Sequence, residues 1–207
     1  MKIAAIIPAY NEEKTLGSVL RPVLACRELS EVIVVDDGSA DNTAAVARNA
    51  GARVITLDRN SGKGGAVAAG FRSTDAEIIL LLDADLIGLT TDHVLSLLRP
   101  VTENGSDMTL GIFSSGRFLT YLAQRIAPQL TGQRAVRRSV LGAVSGLELS
   151  RFGVEIALNR YAKKAVLKTE TVMLPGLTHI MKEEKMGLFA GFASRLRMYR
   201  DIIRYYR

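Results

Sequence analysis

Short apolar runs punctuate the first half of the chain: Ile3 to Pro8, Val32 to Val35, Val54 to Leu57 and Ile78 to Leu82. Each is too short for a helix and rich in Ile, Val or Leu, which predicts buried strands. Between them, Glu12 to Arg27, Asn42 to Ala50 and Gly64 to Arg72 have helical spacing or Ala-rich composition. Strand and helix alternate, so the pattern predicts an α/β fold with a mostly parallel central sheet covered by helices on both faces. In open sheets of this kind ligands bind beyond the carboxyl ends of the strands. Those ends carry Asn11, the pair Asp36 and Asp37, and the pair Asp83 and Asp85.

The second half is less regular. Met108 to Phe113 reads as a strand and Phe118 to Leu130 as an apolar helix, followed by a basic turn, "TGQRAVRRSV". A helix over Gly153 to Ala165 and a strand over Val166 to Leu174 come next, and residues 188–207 read as one long helix. In that last segment Phe189, Phe192, Leu196, Tyr199, Ile203 and Tyr206 form a helical stripe, with Arg197, Arg200, Arg204 and Arg207 on a neighbouring face. Such a stripe is buried against the domain or a second subunit, as in a homodimer, or lies on an anionic membrane surface as a peripheral contact. No repeat or linker divides the chain, so a single domain is expected over 1–207.

Composition narrows the class without choosing a function. The 207 residues suffice for one sizeable core, and no apolar run approaches the roughly 18 residues of a membrane span. The run Ile3 to Ile7 is shorter than the ~7–15 residues of a secretory apolar segment. A cytoplasmic protein is therefore expected, at most associated with the cytoplasmic face of a membrane. Cys26 is the lone cysteine and is expected to pack in a helix rather than react. A net charge of +6 points to anionic partners without saying which.

Two carboxylates one residue apart at a strand end suit a hard divalent cation, Mg2+ or Mn2+. If the strand continues, alternation puts Asp83 and Asp85 on one side. The segment "NSGKGGAVAAG" fails the Walker A template, with Leu57 or Asp58 where its leading glycine would fall and Gly64 where Ser or Thr should follow Lys63. It fails the dinucleotide fingerprint too, because Val67 stands at the third glycine. Lys63 is left on a turn before a helix, a reasonable place to meet the anionic part of a nucleotide. Arg134, Arg137 and Arg138 of the basic turn either pair with phosphate or carboxylate oxygens or form a solvated face. His93 is expected on a helix surface, with no functional role.

Taken as an ordered set, "IIPAYNEEKTL", "IVVDDGSADNT", "NSGKGGAVAAG" and "LLLDADL" resemble the family 2 nucleotide-sugar glycosyltransferases of the GT-A (Rossmann-like) fold, over Met1 to Gly116. The resemblance implies a nucleotide-sugar site of Pro8, Ala9, Tyr10, Glu12, Asp37, Lys63, Asp83, Ala84 and Asp85, the last three being the DxD element. Farther on, "RFGVEIALNRYAKK" and "GLTHIMKEEK" resemble the acceptor half, about 117–187, of polyprenyl-phosphate sugar transferases and glucosyl-3-phosphoglycerate synthases. By that resemblance Glu155 and Asp85 are catalytic, Asp83, Asp85 and His179 hold the metal, and Gly132, Gln133 and Arg134 belong to the acceptor loop. Glu155 would serve as general base, orient the acceptor or buttress Arg134. The implied activity is metal-dependent transfer of a hexose, glucose before others, from a nucleotide sugar such as UDP-glucose. The acceptor is an anionic small molecule or a lipid phosphate, and nucleic acid is not expected as a partner. The alternatives are a peripheral-membrane polyprenyl-phosphate transferase and a sugar-nucleotide-binding module without turnover. A nucleotidyltransferase would carry a basic Gly-rich loop after the first strand, where this chain has "PAYNEE".

Overall fold

The computed structural model of the chain describes residues 1–113, 131–145 and 153–179. Its strands are β1 (Ile3–Ala9), β2 (Glu31–Asp36), β3 (Arg53–Thr56), β4 (Ile78–Leu81), β5 (Leu86–Ile87), β6 (Met108–Phe113), β7 (Arg134–Arg137), β8 (Thr169–Leu174) and β9 (Thr178–His179). The helices are α1 (Leu16–Leu24), α2 (Thr43–Ala50), α3 (Gly62–Arg72), α4 (Thr91–Thr102), α5 (Arg138–Ala143) and α6 (Val154–Lys164). Seven strands form one sheet in the order β3-β2-β1-β4-β7-β6-β8, and β5 and β9 form a separate two-stranded ribbon. All neighbours in the large sheet are parallel except at β7, which runs antiparallel to both β4 and β6. Six strands therefore end on one rim, and β7 begins there.

Alternation along the buried strands feeds two cores. Ile3, Ala5, Ile7, Val32, Val34, Ile78 and Leu80 face one way and pack with Leu16, Val19, Leu20 and Val23 of α1 and Val94, Leu97 and Val101 of α4. Ala4, Ile6, Ile33, Val35, Ile79 and Leu81 face the other way, onto Ala66 and Val67 of α3, Val140 and Leu141 of α5, and Val154 and Leu158 of α6. Burying one Ile or Leu side chain contributes about 1.5–3 kcal/mol. Both faces of β1, β2 and β4 are fully used, which is why these strands read as continuous apolar runs. Pro8 is tolerated in central β1 because the β4 pairing ends two residues earlier, at Ile6 opposite Leu81.

Several expectations are corrected. The helix expected from Glu12 starts only at Leu16, because residues 12–13 are held as loop: Glu12 N donates to Thr43 Oγ1 and Glu13 N to Asp41 Oδ2. The basic turn "TGQRAVRRSV" is instead β7 and α5. The strand expected from Val166 starts at Thr169, since Val166 sits in a turn at φ 52°. His93 is not on a helix surface: it is buried in the first turn of α4, where its Nδ1 accepts from Thr90 N while His93 N donates to Thr90 Oγ1. The helices expected over Phe118 to Leu130 and 188–207 lie outside the described residues. Among the described residues no helix is long and apolar enough to cross a membrane.

Candidate active site

β4 ends at Leu81, and Asp83, Ala84 and Asp85 form the turn into β5. The strand does not continue, so side-chain alternation does not set the two aspartates, and that expectation is withdrawn. Both are half-buried, on either side of buried Ala84.

Lys63 stands inside the first turn of α3 and not on a free turn. The carboxylate of Asp37, at the end of β2, sets that turn: its Oδ1 accepts from Ser61 N and Oγ at 2.7 Å, and its Oδ2 accepts from Gly62 N at 2.8 Å. An anion at a helix start satisfies amides that lack partners and complements the helix dipole. From this fixed base the Lys63 ammonium reaches Asp83 Oδ1 and Glu155 Oε1, each at 2.5 Å. Burial alone would push Lys63 down, but the carboxylates of Asp83 and Glu155 outweigh it and hold the ammonium above its ordinary value. Glu155 lies in the first turn of α6, buried, where the helix dipole again favours its charge.

The segment entering β7 closes the cluster from behind. Gln133 Nε2 donates to Asp83 Oδ2 at 2.8 Å, and Gln133 Oε1 accepts from Thr131 Oγ1. A side chain at Gly132 would bring its Cβ to 2.7 Å from both Asp83 Oδ1 and Lys63 Nζ, so it would have to displace the ends of both side chains. Arg134, expected in the acceptor loop, is wholly buried, 0% exposed. Its Nε donates to Thr131 O and its Nη1 to Asn159 Oδ1, 2.7 Å away, which ties β7 to α6. Burial pushes this guanidinium down to about 10, against the pull of Glu155 and Asp83, and it stays cationic at neutral pH. The structure thus gives Gln133 and Arg134 internal partners rather than an open surface.

At the ends of β1 and β2 the loops are stitched together. Asn11, at φ 55°, donates its N–H to Ser39 Oγ and accepts from Ala40 N, and Glu13 Oε2 accepts from Asn42 N. Pro8 and Ala9 end β1 beneath this seam, Tyr10 is 47% exposed at its edge, and Glu12 Oε2 accepts from Thr15 Oγ1. Lys63, Asp83, Glu155 and the 131–134 segment are brought together directly, whereas Pro8 to Glu12 occupy a neighbouring stretch of the rim.

The β5–β9 ribbon pairs Leu86 with His179, so the backbone sets His179 beside the residue that follows Asp85. The His179 side chain lies outside the described atoms. Among the described residues no three His, Cys, Asp or Glu side chains converge on a metal position. The carboxylates of Asp83 and Asp85 are the donor type a hard divalent cation takes, and in this arrangement the two oxygens of Asp83 accept from the nitrogens of Lys63 and Gln133. One residue of the cluster escaped the sequence analysis. Asn159 follows Glu155 by four positions, on the same helix face, a spacing that could have marked it. The role of Gln133 toward Asp83 had no local signal.

Residues 4–165 match the family described as glycosyl transferase family 2. The undecaprenyl-phosphate 4-deoxy-4-formamido-L-arabinose transferase of Serratia proteamaculans (strain 568) is 31% identical over 188 residues, covering 79% of this chain and 57% of that protein. Its counterpart in Klebsiella pneumoniae (strain 342) is 30% identical over 191 residues, covering 80% and 58%. The chain spans little more than half the length of these curated relatives. Among solved structures, glucosyl-3-phosphoglycerate synthase from Mycobacterium tuberculosis, in complex with Mn2+, uridine diphosphate and glucosyl-3-phosphoglycerate, superposes with a TM-score of 0.71. It is 27% identical over 86% of this chain and 72% of its own. The same enzyme with Mg2+ and uridine diphosphate gives a TM-score of 0.70 at 27% identity, over 86% and 71%.

Proposed function

Because the chain belongs to glycosyl transferase family 2 and has the GT-A fold, we propose that it transfers a sugar from a nucleoside diphosphate sugar to a phosphate-bearing acceptor. The observation that carries this reading is the cluster of Asp83, Lys63 and Glu155 at the carboxyl rim of the sheet, held from behind by Gly132, Gln133 and Arg134. Base and ribose lie against Pro8 to Glu12 and Asp37, on the stitched seam. Lys63, cationic across the physiological range, is the charge that meets the diphosphate or the acceptor phosphate. A divalent cation, Mg2+ or Mn2+, held by Asp85 with His179 and Asp83, would neutralise the departing nucleoside diphosphate.

Glu155 has one partner in this arrangement that decides its role. With Lys63 on its Oε1, it orients and balances the ammonium. An ionised phosphate acceptor needs no proton removed, so a base is dispensable there; an acceptor hydroxyl would require Glu155 to exchange Lys63 for that hydroxyl.

Similarity to glucosyl-3-phosphoglycerate synthase supports UDP-glucose as donor and a small phosphorylated acid as acceptor. A second reading, a polyprenyl phosphate acceptor reached at a membrane surface, is supported by the undecaprenyl-phosphate transferases. The test measures release of the nucleoside diphosphate from a panel of sugar nucleotides with Mn2+, adding 3-phosphoglycerate in one arm and undecaprenyl phosphate in vesicles in the other. Acceptor-stimulated release in either arm supports the proposal and names the acceptor class. Binding of sugar nucleotides with no stimulated release in any arm would replace it with a module that binds without turnover.

A further inference from the structure

The ribbon that brings His179 toward Asp85 is only two residue pairs long, Leu86 with His179 and Ile87 with Thr178. Two pairs of backbone bonds are marginal by themselves. What holds the ribbon is found at its ends. Leu86 is buried in the core shared with α1 and α4, and Leu177, just before β9, is fully buried in the same core. At the far end the chain leaves β5 through Gly88 at φ 79° and approaches β9 through Gly176 at φ 77°. These two turns touch: a Cβ built on Gly88 would lie 2.6 Å from Gly176 O and 3.5 Å from its carbonyl carbon. Among the described residues a Cβ on Gly176 would meet nothing within 4 Å. The two glycines share the same left-handed backbone, which would strain any side chain placed there, and a side chain at only one of them, Gly88, would collide with the other.

We infer that Gly88 is a positioning residue of this site: its bare α-carbon lets the turn after β5 pack on the Gly176 backbone, and that contact keeps β9, and with it His179, alongside Asp85. The inference rests on the reading that Asp85 and His179 take part in metal binding. Any side chain at position 88 must push β9 away by more than half an ångström to reach ordinary van der Waals distance, and the displacement falls on a strand whose second residue is His179. Loss of such supporting contacts around metal ligands commonly costs about 10-fold to 100-fold in affinity.

The experiment compares Mn2+ titrations of the full chain, with and without uridine diphosphate, followed by the electron paramagnetic resonance signal of free Mn2+. Gly88→Ala carries both strain and collision; Gly88→Asn relieves much of the strain, since asparagine tolerates positive φ, but keeps the collision. Gly176→Ala carries the strain alone, and His179→Ala tests the underlying reading. Both Gly88 variants are expected to lose about 10-fold or more in Mn2+ affinity while melting as folded proteins, with Gly176→Ala staying within about threefold of the parent. If His179→Ala weakens Mn2+ binding but the Gly88 variants titrate like the parent, the inference is overturned and the metal reading stands. If His179→Ala leaves the titration unchanged, the metal reading falls and takes the inference with it. Unfolding of both Gly88 variants would also overturn it, by making the contact a requirement of the fold and not of the site.

Discussion

Replacing Lys63 by methionine isolates the charge at the centre of the site, because methionine keeps the length of the apolar stem and removes the ammonium. Asp83 and Glu155 are then left facing each other. Each contributes an oxygen 2.5 Å from the same nitrogen, so these oxygens are at most about 5 Å apart (2.5 + 2.5). At an effective dielectric of about 20, two charges at about 5 Å repel by roughly 3 kcal/mol. The Asp83 side chain is 31% exposed and that of Glu155 12%, so solvent trims this to about 1–3 kcal/mol. The pair in Lys63→Met should therefore hold a shared proton to higher pH than the same two carboxyls do in the unfolded chain, a property of the pair and not of either residue. The sign follows: a carboxyl whose folded pKa is raised is stabilising below its unfolded value and loses that contribution as pH climbs through the folded one. Urea unfolding at pH 5 and pH 7 should show Lys63→Met falling further behind the parent at pH 7, by about 0.5–1.5 kcal/mol because part of the repulsion is already present at pH 5, and addition of Glu155→Gln should close the gap. A deficit independent of pH, or one that Glu155→Gln does not reduce, would refute the account of Lys63 as the counter-ion of both carboxylates.

Three further outcomes follow from the same structure. Arg134→Ala removes the donors to Thr131 O and Asn159 Oδ1 and empties a fully buried site, and should cost about 2–4 kcal/mol in urea unfolding; an unchanged midpoint with a selective rise in acceptor KM would return Arg134 to an acceptor-binding role. Thr109 Oγ1 is buried without a hydrogen-bond partner, so Thr109→Val should hold or raise the midpoint, by up to about 1 kcal/mol, and a loss above ~1 kcal/mol would reveal a missing partner. Burial pushes the Cys26 thiol from an ordinary 9.0 up to about 11, so native protein should resist alkylation at pH 8 until it unfolds. Its contribution to stability should be complete below pH 9 and fade between pH 9 and 11; rapid native labelling at pH 8 would contradict that burial.

The strands legible in the sequence are those buried on both faces. β1, β2 and β4 fall within a residue or two of their apolar runs because both cores demand Ile, Val, Leu or Ala at every position. β7 was hidden because "RAVR" has only two apolar residues between arginines, and its place in the sheet is decided by partners far along the chain, such as Asn159 for Arg134. The same nonlocality hid the true surroundings of Gln133. His93 misled through its polarity: a histidine in the third position of a capping box satisfies the Thr90 amide and can be buried. The aspartate pair was legible as a pair, but its geometry was not, since β4 ends before it and the turn discards the alternation that a strand would impose. β5 and β9, at two residues each, are too short to carry a periodic signal.

The reversed strand β7 has a consequence for how such a chain can diversify. A parallel strand hands its loop to the carboxyl rim on leaving the sheet, so a longer loop displaces whatever follows. β7 arrives at that rim from outside and is locked at once, Arg134 opposite both Leu81 and Leu110. The chain leaves β6 at Phe113 and is pinned again by Thr131 to Arg134, whatever lies between. The Asp83 cluster is therefore registered by β7 itself, through its pairing with β4 and β6, so a change in the length of the connection before Thr131 would not be passed on to it.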